Sequence, residues 1–353
     1  MNKYLTIFTI ALIFGLFATR ANGQGSVPNR ALSDVYKEYT DSLKRTPYRW
    51  HWPLMGAKLR KLGFDLPYPN GLMINYAYSQ QYLTLSDVHV GFDPNNLTPI
   101  DGFARFGQIK ANVNAISVRY DFWLLPFVNF SILGGRINAD TNVDLGLPFE
   151  ASFVAHSQGT SLGWNVVGAG GLGPIVVNGD FTQVFTWTAN TEKPSKTNVI
   201  GARLGHMFRF KKTPYRNFVV LAGGQYLKLN KASTGMADLE KVAGITPEDK
   251  VRISEQLDDW YFGLPGREQE ILGGLYQGLD SWLNNTGGTN LHYSFNKKLQ
   301  YPWSMTVGFN YQHNKRYQFT GIYSFLGSRN QFAFGITYRF GFRGKNYLQG
   351  LTL

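Results

Sequence analysis

The run Trp303-Ser304-Met305-Thr306-Val307-Gly308-Phe309-Asn310-Tyr311-Gln312 alternates large apolar side chains with small or polar ones. Beyond a tight turn at Asn314-Lys315, Tyr317, Phe319, Tyr323 and Phe325 keep the same period. After Gly327-Ser328-Arg329 it resumes in Phe332, Phe334, Ile336, Tyr338, Phe340 and Phe342, interleaved with Gln331, Ala333, Gly335, Thr337, Arg339 and Gly341. A period of two sends alternate side chains to opposite faces of a strand. Three successive strands therefore present one bulky apolar face and one small polar face. A barrel wall in a bilayer has this pattern, with apolar side chains toward lipid and polar ones toward the lumen.

Working outward, the alternation extends upstream. Leu72, Ile74, Tyr76 and Tyr78 share a face after the Pro69-Asn70-Gly71 turn, and Ile116, Val118, Tyr120 and Phe122 repeat the pattern within 111–123. Further strands are expected over 127–137, 161–169, 175–187, 198–210 and 217–228. Each is long enough to cross a bilayer at a tilt. Connections at 124–126, 170–173, 211–215 and 314–315 are short, whereas those at 84–110, 138–160, 188–196 and 229–301 are long, and the two kinds alternate. Short periplasmic turns opposite long outer loops are a property of outer-membrane barrels. The expected fold is all-β: a transmembrane antiparallel up-and-down β-barrel of about 10–12 strands over 71–342, with a helical extracellular insertion at 229–301. Inside that insertion, Thr246-Pro247-Glu248-Asp249 has the cap, proline and acids of a helix start. Leu272, Leu275, Leu279 and Trp282 or Leu283 form a helical stripe, and 291–295 suggests a short strand.

Composition agrees with this reading. The 353-residue chain is 43% hydrophobic and 15% aromatic, with 39 glycines and no cysteine, and its mean hydropathy is −0.22. Helical spans are not suggested, and there is no disulfide framework or thiolate chemistry. Residues 1–23 read as a signal peptide cleaved near Gly23/Gln24, with Lys3 in the charged region and Ala21-Asn22-Gly23 at the cleavage site. Residues 24–70 read as a periplasmic segment with a short amphipathic helix at 31–43, and 343–353 as a C-terminal tail. The net charge of +12 becomes +10 once Lys3 and Arg20 are removed. An exported chain without a basic-aromatic cluster does not point to nucleic acid. The expected partners are outer-membrane lipid and lipopolysaccharide, the barrel-assembly machinery and small anionic solutes.

Three stretches together resemble a family of uncharacterised Gram-negative outer-membrane β-barrel proteins. They are Arg119-Tyr120-Asp121-Phe122-Trp123-Leu124-Leu125-Pro126-Phe127-Val128-Asn129, Gly201-Ala202-Arg203-Leu204-Gly205, and Gly327-Ser328-Arg329-Asn330-Gln331-Phe332 running to Tyr338-Arg339-Phe340. The resemblance covers the barrel from about residue 111 onward and is specific as a set. It implies the same fold and a bacterial outer-membrane location, and it implies no substrate.

Enzyme signatures fare poorly. Gly168-Ala169-Gly170-Gly171-Leu172-Gly173 matches a dinucleotide fingerprint, but a strand follows where a helix is needed. Gly159-Thr160-Ser161-Leu162-Gly163 matches a nucleophile elbow without its strand-to-helix setting. Asp140, Asn142 and Asp144 offer oxygens at alternate positions in an expected outer loop, but the remaining calcium-loop ligands are absent. No cofactor is expected. A lipid-modifying barrel enzyme, hydrolase or acyltransferase-like, would need His156 and Ser161 to meet at the outer rim. The informative residues are those whose parity turns them inward: Arg119, Asp121, Asp180, Arg203, Arg209 and Arg339. Paired, they make a charge network that fills a narrow lumen; unpaired, they line a passage favouring anions. The reading is a non-enzymatic narrow channel, transport or scaffold barrel, with the enzyme and an adhesin or receptor-type barrel as alternatives.

Overall fold

A computed structural model describes residues 29–103, 105–147, 151–188, 194–210, 212–230, 233–239, 246–284 and 290–342. The expected signal peptide and the 343–353 tail lie outside these residues.

Ten strands close a ring by antiparallel pairing. In ring order they are β1 (Asn70–Gly91), β4 (Ile109–Leu125), β5 (Val128–Leu147), β6 (Ala151–Leu172), β7 (Ile175–Thr188), β8 (Ser195–Arg209), β9 (Asn217–Asn230), β12 (Trp303–Gln312), β13 (Tyr317–Phe325) and β14 (Arg329–Phe340). The last strand returns to the first, in register from Asn70↔Phe340 to Gln81↔Arg329. Two short strands, β2 (Thr98–Pro99) and β3 (Arg105–Phe106), edge the outer side, and β10 (Ser233–Asp238) and β11 (Asn290–Leu299) stand above the ring.

Burial is inverted relative to a water-soluble sheet. Ile74, Ile116, Leu162 and Leu204 are 57–60% exposed on the outside, while Asp121 and Ser131 inside are 0% exposed. Aromatic side chains cluster toward the two ends of the wall. Phe122–Phe130, Phe218–Tyr311 and Tyr338–Phe340 lie near the short turns, and Tyr226–Trp303 and Tyr323–Phe325 near the opposite rim. An apolar outer band between aromatic belts, around a polar interior, matches a bilayer as the surrounding solvent. The barrel is transmembrane. No described helix is long and apolar enough to cross a membrane.

Two expectations about the outer loops are corrected. The span 138–160 is not a loop, because β5 runs to Leu147 and β6 starts at Ala151, paired from Val128↔Gly168 to Leu145↔Ala151. Likewise β1 continues past 84 to Gly91. The even positions of β5, which carry Ile132 lower down, are polar here (Asn138, Asp140, Asn142 and Asp144), so the apolar contrast is lost where these strand ends stand above the lipid.

The insertion folds as a cap. Helix α3 (Pro247–Phe262) starts in a capping box, in which the Thr246 hydroxyl accepts from Asp249 N–H and the Asp249 carboxylate accepts from Thr246 N–H. The Thr246 hydroxyl at 2.8 Å, the Arg252 guanidinium at 2.9 Å and the Thr246 N–H hold the Asp249 carboxyl below the usual carboxylate range. It packs on α4 (Gly266–Leu283) through Ile253, Leu257, Leu272, Leu275 and Leu279, and the rings of Tyr261 and Tyr276 stack at 4.0 Å.

At the opposite end, α1 (Asn29–Arg45) and α2 (Gly56–Lys61) lie under the short turns. The Tyr36 hydroxyl donates to the Phe210 carbonyl, and Asp65 accepts from Tyr39 at 2.6 Å, Lys315 at 3.2 Å and Arg60 at 3.3 Å. Burial and the Asp65 carboxylate push the Tyr39 phenol far above its ordinary pKa.

An arginine placed mid-strand on the lipid face should be costly only if lipid is the surrounding medium. Ile336→Arg is expected to lower stability by about 2–4 kcal/mol in urea titrations in vesicles, with an arginine near the rim costing less. A fall no larger than at the rim would argue against a buried mid-barrel band.

Candidate functional site

Among the described residues, the interior of the barrel is where many polar and charged groups are buried together. Near the end that carries the short turns, Asp121 on β4 accepts from Asn129 Nδ2 at 2.8 Å and from Arg339 Nη1 at 3.2 Å. Arg339 also donates through Nε to Gln318 at 2.9 Å and lies 5.8 Å from the centre of the Trp123 ring. One pleat higher, Arg119 feels the charges of Asp121, Asp180 and Arg339. Three strands round the ring, Asp180 on β7 accepts from Arg203 Nη1, which also reaches Asn178 at 3.3 Å.

Strand register explains why these carboxylates fit. The residue directly across from Asp121 is Gly71, and the one across from Asp180 is Gly201. A Cβ at Gly71 would lie 2.4 Å from Asp121 Oδ2, and one at Gly201 would lie 2.6 Å from Asp180 Oδ1. Each carboxylate therefore folds over a glycine, and Arg203 reaches Asp180 diagonally rather than from the opposed position. The two pairs are buried, and burial of charge is tolerated only with partners of this kind.

Of the six inward charges expected from parity, five come together as two pairs with Arg119 near both carboxylates. Arg209 does not join them: it lies exposed at the short-turn rim, 6.0 Å from the centre of the Tyr36 ring. Arg329 was missed. The sequence places it in a turn, whereas it opens β14 facing inward and is 3% exposed. Its alternation with Gln331 and Ala333 was the available signal. Lys297 was also missed. It lies in the insertion, opposite Leu85, and burial holds its ammonium below the usual lysine range.

Above this polar interior the throat becomes apolar. Leu83, Ile109, Ala111, Leu227 and Leu299 form one cluster, with Leu85 and Phe106 packed against it. Leu85 and Phe106 also touch the cap's own core, which takes in Val88 and Ile100 of the barrel rim. The Phe92 ring lies over Gly278, where a Cβ would come within 2.1 Å of it. Cap and barrel thus share a continuous apolar seal.

The other candidates do not assemble. Asp140, Asn142 and Asp144 lie along one face of β5, where the first and last stand four residues, about 13 Å, apart and cannot wrap one ion. Asp140 is bonded to His156 Nδ1 at 2.7 Å. Among the described residues no group of three His, Asp or Glu could hold a metal. His156 and Ser161 belong to the same strand, β6, with opposite parity, so they face opposite sides of the wall. The dyad that the enzyme alternative needs does not form, because its members sit five positions apart along one extended strand.

No family model matches the chain, and no curated protein does. Solved structures similar to it are outer-membrane β-barrels of Gram-negative bacteria. The beta domain of the Bordetella autotransporter BrkA aligns over 77% of this chain and 100% of its own, at 8% identity and a TM-score of 0.36. The outer membrane protein OprG of Pseudomonas aeruginosa aligns over 78% and 98%, at 8% identity and a TM-score of 0.37. The transport unit of the Escherichia coli autotransporter AIDA-I aligns over 77% and 90%, at 11% identity and a TM-score of 0.33. The fold assignment rests on the closed ring of pairings itself.

Removing one carboxylate tests the lumen network. Asp121→Asn strands Arg339 and Arg119 without their anion, and is expected to cost about 3–5 kcal/mol in urea unfolding. Combining it with Arg339→Gln should recover part of that loss in a double-mutant cycle. Strict additivity would mean that the two side chains do not interact.

Proposed function

We propose that the chain is an outer-membrane barrel held closed at rest: a narrow passage filled by paired charges and stoppered at its outer mouth by the helical cap. The observation that carries this reading is the continuous apolar seal from Leu83, Leu227 and Leu299 of the throat into Leu257, Leu272 and Leu279 of the cap. An apolar constriction excludes hydrated ions, and a folded cap of two packed helices exceeds what an idle loop needs. In this reading residues 1–23 are the export signal, 24–70 a periplasmic floor that braces the turns, and 71–342 the barrel. The assembly machinery that inserts barrels is a partner in biogenesis. The exposed outward cations Arg136, Lys228 and Lys298 suit lipopolysaccharide phosphates.

Planar-bilayer recording tests the proposal. The intact protein should be nearly silent, and replacing 247–283 by a short flexible linker should produce discrete conductance with anion preference. Steady wild-type current would overturn the closed state. A capless barrel that folds, shown by its heat-dependent gel mobility, yet remains silent would overturn the passage and leave a scaffold that displays its cap.

A further inference from the structure

The inward face of four neighbouring strands, β8, β9, β12 and β13, carries a row in register: Arg203↔Gly223, Gly223↔Thr306 and Thr306↔Ser324, continuing to Gln331 on β14. The row is small in its middle. Gly223 has no side chain, and Thr306 and Ser324 are each 1% exposed. One pleat above, Ser304 stands beside Gln225. Arginines flank this floor, with Arg203 at its β8 end and Arg329 one pleat above Gln331.

Several polar atoms here are buried without any hydrogen-bond partner. They are Nε and Nη2 of Arg329, Nε of Arg203, Oγ of Ser304 and Oγ1 of Thr306. Arg329 is 3% exposed and Arg203 7% exposed. The two guanidiniums repel each other through space, and only Arg203 has a carboxylate, Asp180. Among the described residues the barrel interior holds the guanidiniums of Arg119, Arg203, Arg329 and Arg339 against the carboxylates of Asp121 and Asp180. A buried charge left in this condition costs several kcal/mol unless something pairs it, on the order of that for any uncompensated interior ion.

We infer that the floor of Thr306, Ser304 and Gly223 between Arg203 and Arg329 is a binding site for a small oxyanion, such as phosphate or a carboxylate. Guanidinium donors match the paired oxygens of such ions, hydroxyls complete the coordination, and glycine leaves the volume. The site sits directly beneath the apolar throat, since Arg329 pairs with Gln81 and Leu83 is the next inward residue on β1. That position shields the bound charge from water and strengthens the contact. The inference rests on the reading of the lumen as a narrow passage, and adds that its resident solute is anionic.

The test uses the full chain folded in a phosphate-free, uncharged detergent. Inorganic phosphate is titrated against chloride at equal ionic strength, with binding followed by calorimetry and folding by the thermal midpoint of the heat-dependent gel shift. Wild type should bind phosphate and gain in midpoint. Arg329→Gln should weaken binding at least tenfold and Thr306→Val by severalfold, while Lys61→Gln at an exposed position of α2 should leave it unchanged. Arg329→Met should unfold at a higher temperature than wild type in chloride alone, and should lose the response to phosphate. Sulfate and acetate arms separate tetrahedral from planar oxyanions, and binding of either through Arg329 supports the site. No binding by wild type, or an equal response in all four variants, would overturn it. Because binding is read without current, a barrel silent in bilayers that still binds phosphate overturns the passage and keeps the site.

Discussion

Every backbone N–H and C=O within the apolar band must find a partner inside the protein, because acyl chains offer none. The ring of ten strands answers that requirement by returning β14 to β1 over twelve paired positions, from Asn70↔Phe340 to Gln81↔Arg329. Side chains then have no choice of direction. One parity meets lipid and the other meets the lumen, so the outward apolar face and the inward polar face follow from closure rather than from any core of the usual kind. An open sheet of the same sequence would leave a long unpaired edge and would bury nothing on its apolar side.

A ring of this strand number lies between a small barrel filled by its own side chains and a wide aqueous porin. The chain fills the interior with arginines, whose long stems span the gap and whose forks bridge several acceptors. Glycines enter at particular places for the same geometric reason. Gly71 and Gly201 lie across from the two lumen carboxylates and give them room. At the outer turn Gly327 takes a φ of 153°, and a Cβ there would fall 2.2 Å from the Trp303 carbonyl oxygen. The abundance of glycine in the composition is thus in part a record of how tightly neighbouring ribbons and ion pairs are packed.

Within the bilayer the fold was legible because the lipid face and the lumen face differ in both size and polarity, as Met305 and Thr306 do. Outside the bilayer that contrast disappears. The upper halves of β5 and β6, where Asp140 and His156 pair on an exposed face, read as a loop because nothing there needs to be apolar. The lumen charges on long clean strands were placed by parity, and their partners follow from register. Arg329 escaped because the three residues Gly327-Ser328-Arg329 look alike as turn formers, while only the backbone shows that the strand begins at the third. Arg209 failed for the opposite reason: its parity is inward, but the wall ends at that height and α1 lies beneath it.

The short outer turn at 326–328, an exception among outer connections, is what allows the cap to be built into the wall. Up to Gln81, strand β1 is flanked by β14. Above that point β14 has ended, and Tyr82 N–H donates to the Ser328 carbonyl at 2.8 Å as the last contact on that side. The upper part of β1 would then present a free edge, and β11 takes it over from Leu83↔Leu299 to Gly91↔His292. Between Ser86 and His89 the register slips, with Asp87 at a positive φ of 54°. The slip moves the inward position from odd to even residues, so Leu83 faces the throat and Val88 faces the cap core. A single strand therefore serves three surroundings in turn: lipid and lumen below, the apolar throat at its middle, and the underside of the helices above. Any movement of the cap must pass through β11 and this bulge, which makes the cap part of the sheet and not an appendage resting on it.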